Sequence, residues 1–182
     1  VVSAQILGVS GSPRRDGNTD IIVRRVVEGV GSISGRKAEF VRVADFDLKH
    51  CIGCRRCMTL GHCAIEGDDL DRIMAHFFAA ETIVIGSPVY WLSPPGILKD
   101  LMDRSHGWYT DLTILSGKWA GIISVAADSG FEPHEDAIEA WLTCYGAEVV
   151  AKARIYAREK GEVLERPAEL RKLDAVIAAL TA

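Results

Sequence analysis

The chain has 182 residues, 48% hydrophobic and 25% charged, with a formal net charge of −4 at pH 7. That length supports one sizeable core, and the composition is that of a soluble globular protein. No global basic field exists to draw nucleic acid, and the longest uncharged stretch, 82–98, is too short and too broken by Gly86, Pro88, Pro94 and Pro95 to span a bilayer. The first residues lack a basic region, an apolar run and a cleavage site in succession, so a cytoplasmic location without membrane attachment is expected. Of five cysteines, Cys51, Cys54, Cys57 and Cys63 crowd into one short stretch. Such crowding points to a metal or to redox chemistry rather than to a disulfide framework.

In chain order, the first predicted strand, 5–10, runs into Gly8-Val9-Ser10-Gly11-Ser12-Pro13-Arg14-Arg15-Asp16-Gly17-Asn18-Thr19. A helix over 19–31 follows, with apolar Ile22, Val26 and Val30 spaced among Arg24, Arg25 and Glu28. A strand, a Gly/Ser loop and a helix start make an anion site, where helix N–H groups, hydroxyls and Arg14 face a phosphate. The loop lacks the Gly-Lys-Ser/Thr of a Walker A motif, and Gly8 and Gly11 are too widely spaced for a dinucleotide fingerprint. An ordinary turn with Asn18 or Thr19 as helix cap is the alternative.

A second strand, 38–43, leads into a cysteine-rich insertion, 47–68. Its thiols are spaced C-x2-C-x2-C-x5-C between Cys51 and Cys63. Three thiolates two residues apart wrap three corners of a cubane while the fourth reaches the last iron, and Gly53 and Gly61 permit the turns. The x5 gap and Ala64 depart from the bacterial ferredoxin run, so all four thiols can serve one cluster. Lys49, Arg55 and Arg56 offset its negative charge. Zinc on four thiolates, or thiols without metal, stay open. A nucleophilic cysteine activated by His50 or His62 is disfavoured, because neighbouring thiols would oxidise to disulfides.

A helix over 68–80 starts with Asp68 as a candidate cap. The third strand, 82–87, ends in Gly86-Ser87-Pro88-Val89-Tyr90-Trp91-Leu92-Ser93, which places Pro88, Val89, Tyr90 and Trp91 at the sheet edge. Aromatic surface there suits a flat ring, with a core cap or subunit interface as the alternative. A helix over 95–104 opens on proline. The fourth strand, 119–126, enters Ala126-Ala127-Asp128-Ser129-Gly130-Phe131, which offers Ala126, Asp128 and Gly130 as a third wall or forms a plain surface loop. In the helix over 133–145, Cys144 is read as a small core residue. His76, His106 and His134 are read as packing or surface residues. A strand over 148–155 and a helix over 167–180 follow.

This alternation predicts one α/β domain, 1–182: a doubly wound, five-stranded parallel sheet with helices on both faces. The expected strand order is the flavodoxin-like 2-1-3-4-5, with ligands beyond the carboxyl ends of the strands. The cysteine loop is expected to open on that same edge.

The loop Gly-Ser-x-Arg-x-x-Gly-Asn-Thr resembles the FMN phosphate loop of the NADPH-dependent FMN reductase-like families. Ser-Pro-Val-Tyr-Trp, followed by Gly-Ile-Leu-Lys-Asp-Leu-Met-Asp-Arg, resembles their ring-contacting loop and the helix after it. The cysteine spacing, with Asp68-Asp69-Leu70, is similar to that of the iron–sulfur flavoproteins, which join a [4Fe–4S] centre to an FMN domain. The resemblance implies FMN held at its phosphate by Ser10, Ser12, Arg14, Asn18 and Thr19. It places the ring at Pro88, Val89, Tyr90 and Trp91, with Ala126, Asp128 and Gly130 nearby, and the cluster on Cys51, Cys54, Cys57 and Cys63. A flavin-dependent oxidoreductase without a side-chain acid or nucleophile follows, with a ferredoxin-like donor or NAD(P)H as reductant and a small-molecule acceptor. A homodimer or homotetramer would bring a cluster near a neighbour's flavin. Two readings stand beside this one: an NAD(P)H-dependent FMN or quinone reductase lacking a cluster, and a flavin-binding regulatory module with structural zinc.

Overall fold

The computed structural model describes residues 5–182. Five parallel strands, β1 (Ile6–Ser10), β2 (Ala38–Arg42), β3 (Thr82–Pro88), β4 (Trp119–Ala126) and β5 (Glu148–Tyr156), form one sheet in the order β2-β1-β3-β4-β5. The predicted topology is therefore the observed one. Ile6 of β1 stands between Ala38 of β2 and Thr82 of β3, and Thr82 aligns with Trp119 of β4. The connecting helices are α1 (Asn18–Ser34), α2 (Cys57–Leu60), α3 (Leu70–Ala79), α4 (Gly96–Arg104), α5 (Phe131–Cys144) and α6 (Pro167–Thr181).

Because strand side chains alternate between faces, the sheet builds two cores. On one face Ile6, Val84, Ile123 and Ile155 pack with Val23, Val26 and Val30 of α1 and Leu173, Val176 and Leu180 of α6. On the other, Leu7, Val9, Ile83, Ile85 and Ile122 meet Ile73 and Phe77 of α3, Leu98 and Leu101 of α4, and Ile138 and Leu142 of α5. Winding reverses between β1 and β3, and two glycines let α1 settle on the sheet there. A Cβ on Gly8 would lie 2.8 Å from Cγ1 of both Val23 and Val27, and one on Gly86 only 2.1 Å from Val23 Cγ2. Bare backbone brings the start of α1 down onto the strand ends.

Two sequence expectations need correction. The residue at the N-cap of α1 is Gly17, with no side-chain cap bond, because the Asn18 amide is drawn elsewhere: Nδ2 donates to the Glu159 carbonyl at 2.8 Å and Oδ1 accepts the Val163 N–H at 3.2 Å. Cys144 is exposed, not a core residue. The buried stripe of α5 runs through Ile138, Trp141 and Leu142 to Tyr145, at helical i, i+3, i+4, i+7 spacing, and Cys144 falls off it. Among the described residues no helix is long and apolar enough to cross a membrane.

Candidate functional site

At the carboxyl ends of β1, β3, β4 and β5 lies a cleft of about 160 Å³. One wall is the β1–α1 loop and first turn of α1, with Ser12, Arg14, Asn18 and Thr19. The loop after β3 supplies Pro88, Val89 and Tyr90, that after β4 supplies Ala126, and the end of β5 supplies Arg158 and Lys160. The walls are tied to one another. Gly11 N–H donates to the Gly86 carbonyl at 2.8 Å, and Val89 N–H to the Val125 carbonyl at 2.8 Å.

A buried network shapes the first wall. The Ser10 hydroxyl donates to Asp20, the Asp16 N–H donates to the same carboxylate at 2.8 Å, and Arg42 Nε reaches it at 2.8 Å. Asp20 and Arg42 are both almost wholly buried. Arg42 therefore neutralises the one acid in the first turn of α1, and Arg14, Arg158 and Lys160 leave the cleft net positive. No side chain caps α1 at Gly17, and Gly17, Asn18 and Thr19 at the start of the helix line the same cleft. Cations, a hydroxyl and a helix N-terminus around one cleft are the equipment of a phosphate site.

Of the residues expected there, Ser12, Arg14, Asn18, Thr19, Pro88, Val89, Tyr90 and Ala126 line the cleft, whereas Ser10, Trp91, Asp128 and Gly130 do not. Ser10 is buried in the sheet with its hydroxyl on Asp20. Trp91 is 99% exposed. It and Leu92 form a two-residue turn at φ 48° and 63°, closed by mutual N–H to carbonyl bonds of 2.9 and 3.0 Å between Tyr90 and Ser93. Positive φ at two successive non-glycine residues is uncommon. Asp128 is exposed. Gly130 serves packing, since a Cβ there would lie 2.8 Å from Leu92 Cδ2.

The cysteine loop leaves β2 at the cleft rim but folds back along α4, which corrects the expectation that it opens on that rim. His50 Nδ1 pairs with Asp100 Oδ1 of α4 at 2.8 Å. Further down, Cys51, Cys54, Cys57 and Cys63 line a second cavity of about 820 Å³, walled also by Arg104, His106 and Tyr109 and by Trp141 and Cys144 near the end of α5. Cys57 Sγ lies 3.4 Å from His106 Nδ1, and His106 stacks on Tyr109 with ring centres 4.6 Å apart. Cys63 Sγ accepts a hydrogen bond from Arg104 Nε at 3.0 Å. Among the described residues no three His, Cys, Asp or Glu side chains gather as ligands of a single ion. In a cubane each cysteine takes a different iron, so a thiol set distributed round a wide cavity fits that donor pattern.

The sequence model of NADPH-dependent FMN reductases matches residues 4–161. The chain belongs to the NADPH-dependent FMN reductase family. It is 39% identical over 123 residues to an iron–sulfur flavoprotein of Methanocaldococcus jannaschii, covering 68% of this chain and 62% of that one. To an iron–sulfur flavoprotein of Methanosarcina thermophila it is 31% identical over 148 residues, covering 80% and 76%. Across three of these curated relatives the match spans only 49% to 62% of their length. The fold is shared with an NAD(P)H:quinone oxidoreductase from Methanothermobacter marburgensis, at a TM-score of 0.72 and 15% identity over 99% of this chain and 97% of that one. It is shared also with the Trp repressor binding protein of Bacillus subtilis, at 0.69 and 21% over 93% and 98%.

Three features of this FMN reductase family member escape the sequence motifs. Arg158 and Lys160 follow β5 directly, and the rule that ligands gather at strand carboxyl ends would have drawn them in. The Asp20–Arg42 pair joins α1 to β2 behind the phosphate-type loop. The third is Arg104, which bonds Asp68 at 2.6 Å with both side chains buried. Burial pushes the Asp68 carboxyl up, but the hydrogen bond from Arg104, with those from the Lys49 and Leu70 N–H groups, outweighs it and holds the carboxyl below its ordinary value.

Proposed function

We propose that the chain is an FMN-dependent oxidoreductase that exchanges electrons between its flavin and a [4Fe–4S] cluster on Cys51, Cys54, Cys57 and Cys63. The observation that carries the two-centre reading is the placement of all four thiols on one cavity, in a member of the FMN reductase family. When bound, FMN supplies both one- and two-electron chemistry. The residues' part is binding and orientation. Ser12, Arg14, Arg158, Lys160 and the first turn of α1 hold the phosphate, and Pro88, Val89, Tyr90 and Ala126 seat the ring. No side chain is assigned as acid, base or nucleophile.

The cleft and the cavity share no lining residue: the cavity takes in Met102, Asp103 and Arg104 at the end of α4, whereas none of α4 lines the cleft. The reading includes a homodimer or homotetramer in which one chain's cavity meets another's cleft. NAD(P)H or a ferredoxin-like protein is the electron donor in this reading, and a small molecule the acceptor. The curated relatives named iron–sulfur flavoproteins support the cluster over the cluster-free reductase.

Anaerobic purification and reconstitution, followed by flavin, iron and zinc counts, tests the proposal. One FMN and about four irons per chain are expected. Flavin without metal would leave the plain reductase, zinc without iron the regulatory module, and no flavin at all would overturn the reading.

A further inference from the structure

We propose that Arg104 is the positioning residue for Cys63, fixing it as the fourth cluster ligand and setting the potential of the cluster. The inference rests on the reading of the four cysteines given above. Arg104 closes α4 and is 1% exposed. Each of its five N–H donors has a partner. Nε donates to Cys63 Sγ at 3.0 Å. Nη1 donates to the Lys49 carbonyl at 2.8 Å and to Asp68 Oδ2 at 2.6 Å. Nη2 donates to the Ile65 carbonyl at 3.1 Å and to Asp68 Oδ1 at 3.4 Å.

These partners bracket the cysteine loop. Lys49 stands just before Cys51, and Ile65 and Asp68 just after Cys63. Asp68 Oδ2 also accepts the Lys49 N–H at 3.0 Å, so the ion pair clasps both ends of the loop together. A clasp alone would be complete with the carbonyls and the carboxylate. The Nε–H is spent instead on sulfur, and it comes from a side chain that keeps its charge at every pH the protein meets. Cys63 is gripped from its backbone side as well: a Cβ on Gly107 would lie 2.6 Å from Cys63 N.

A thiolate on iron carries negative charge, and a buried cationic donor stabilises it more strongly than a neutral one. The stabilisation is greater in the reduced, more negative state of the cluster, so the donor raises the reduction potential, which hydrogen bonds to sulfur and net charge govern. Lys49, Arg55 and Arg56 do not have this role. Lys49 Nζ is bonded to the Glu66 carbonyl at 2.7 Å, and Arg55 and Arg56 are exposed.

The test compares Asp68→Asn, Arg104→Lys and the neutral pair Arg104→Gln/Asp68→Asn with the unmodified full chain. All are reconstituted anaerobically and followed by iron count, redox titration and electron paramagnetic resonance, with flavin content as the check on folding. The neutral pair is expected to titrate at lower potential and to convert on mild oxidation to a three-iron form, the outcome also expected of Cys63→Ser. Asp68→Asn, which keeps the donor on sulfur and removes a negative charge, is expected to hold or raise the potential and not to lower it. Should the neutral pair fail to fold, Arg104→Lys carries the comparison, lowering the potential where Asp68→Asn does not. An unchanged potential in the Arg104 variants, or an equal shift in Asp68→Asn, overturns the proposal while leaving the cluster reading intact. Unmodified protein that takes up no iron overturns both.

Discussion

Replacing Gly86 with alanine puts a methyl group where α1 already rests on the sheet. The new Cβ would lie 2.1 Å from Val23 Cγ2 and 3.1 Å from Thr19 Cγ2. Carbon atoms pack at about 3.5–4.0 Å, so Val23 must retreat by roughly 1.5 Å. Val23 is fully buried and cannot swing into solvent, so α1 itself has to lift. Overpacking of this kind costs about 1–3 kcal/mol. The turn that lifts carries Gly17, Asn18 and Thr19 of the cleft, so FMN affinity falls as well, about tenfold for each 1.4 kcal/mol of strain that binding must undo. Urea unfolding and flavin-fluorescence titration measure the two effects. Gly96→Ala is the control: nothing lies within 4 Å of its added Cβ at the exposed start of α4, and it is expected to stabilise by about 0.4–1 kcal/mol. Val23→Ala in the Gly86→Ala background should recover part of both losses, a coupling expected only of groups in contact. If Gly86→Ala unfolds and binds flavin as Gly96→Ala does, α1 does not bear on β3 as described.

Three further outcomes are expected. His134 is buried on Ser124 Oγ at 3.1 Å, and burial pushes its pKa down to about 4. The fold thus holds the neutral ring, and its contribution is full above about pH 6.5 and lost as pH falls from there to about 4, roughly 3 kcal/mol in all; urea midpoints across that window should fall more steeply for the unmodified protein than for His134→Asn. Arg158→Ala and Lys160→Ala, at exposed positions, should each weaken FMN binding up to about fivefold while leaving riboflavin unaffected, an effect that shrinks with added salt. Gly107→Ala sets a Cβ against the Cys63 backbone, and iron analysis should show cluster loss while flavin content stays unchanged.

The sheet was legible in the sequence because both its faces are covered. Strands such as Ile6–Ser10 and Trp119–Ala126 are nearly unbroken apolar runs, separated by helices with one apolar stripe. The two rim loops were legible from glycine, serine and proline at strand ends. Side-chain direction was less so. Ser10 belongs to the phosphate-type motif yet is bonded to Asp20 inside the sheet, and Trp91 is turned outward by a positive-φ pair that its residue types do not announce. The exposure of Cys144 could have been read from the spacing of Ile138, Trp141, Leu142 and Tyr145. Arg104 could not, because its partners Lys49, Cys63 and Asp68 lie 36 to 55 residues away and only the path of the loop along α4 brings them together.

An anomalous-scattering map at the iron edge, from crystals of anaerobically purified, FMN-loaded protein, addresses both centres at once. The expected map has iron among the sulfurs of Cys51, Cys54, Cys57 and Cys63, and flavin density in the rim cleft with its phosphate beside Ser12, Arg14 and the start of α1. Iron absent from that cavity, or flavin bound away from that rim, would contradict the account.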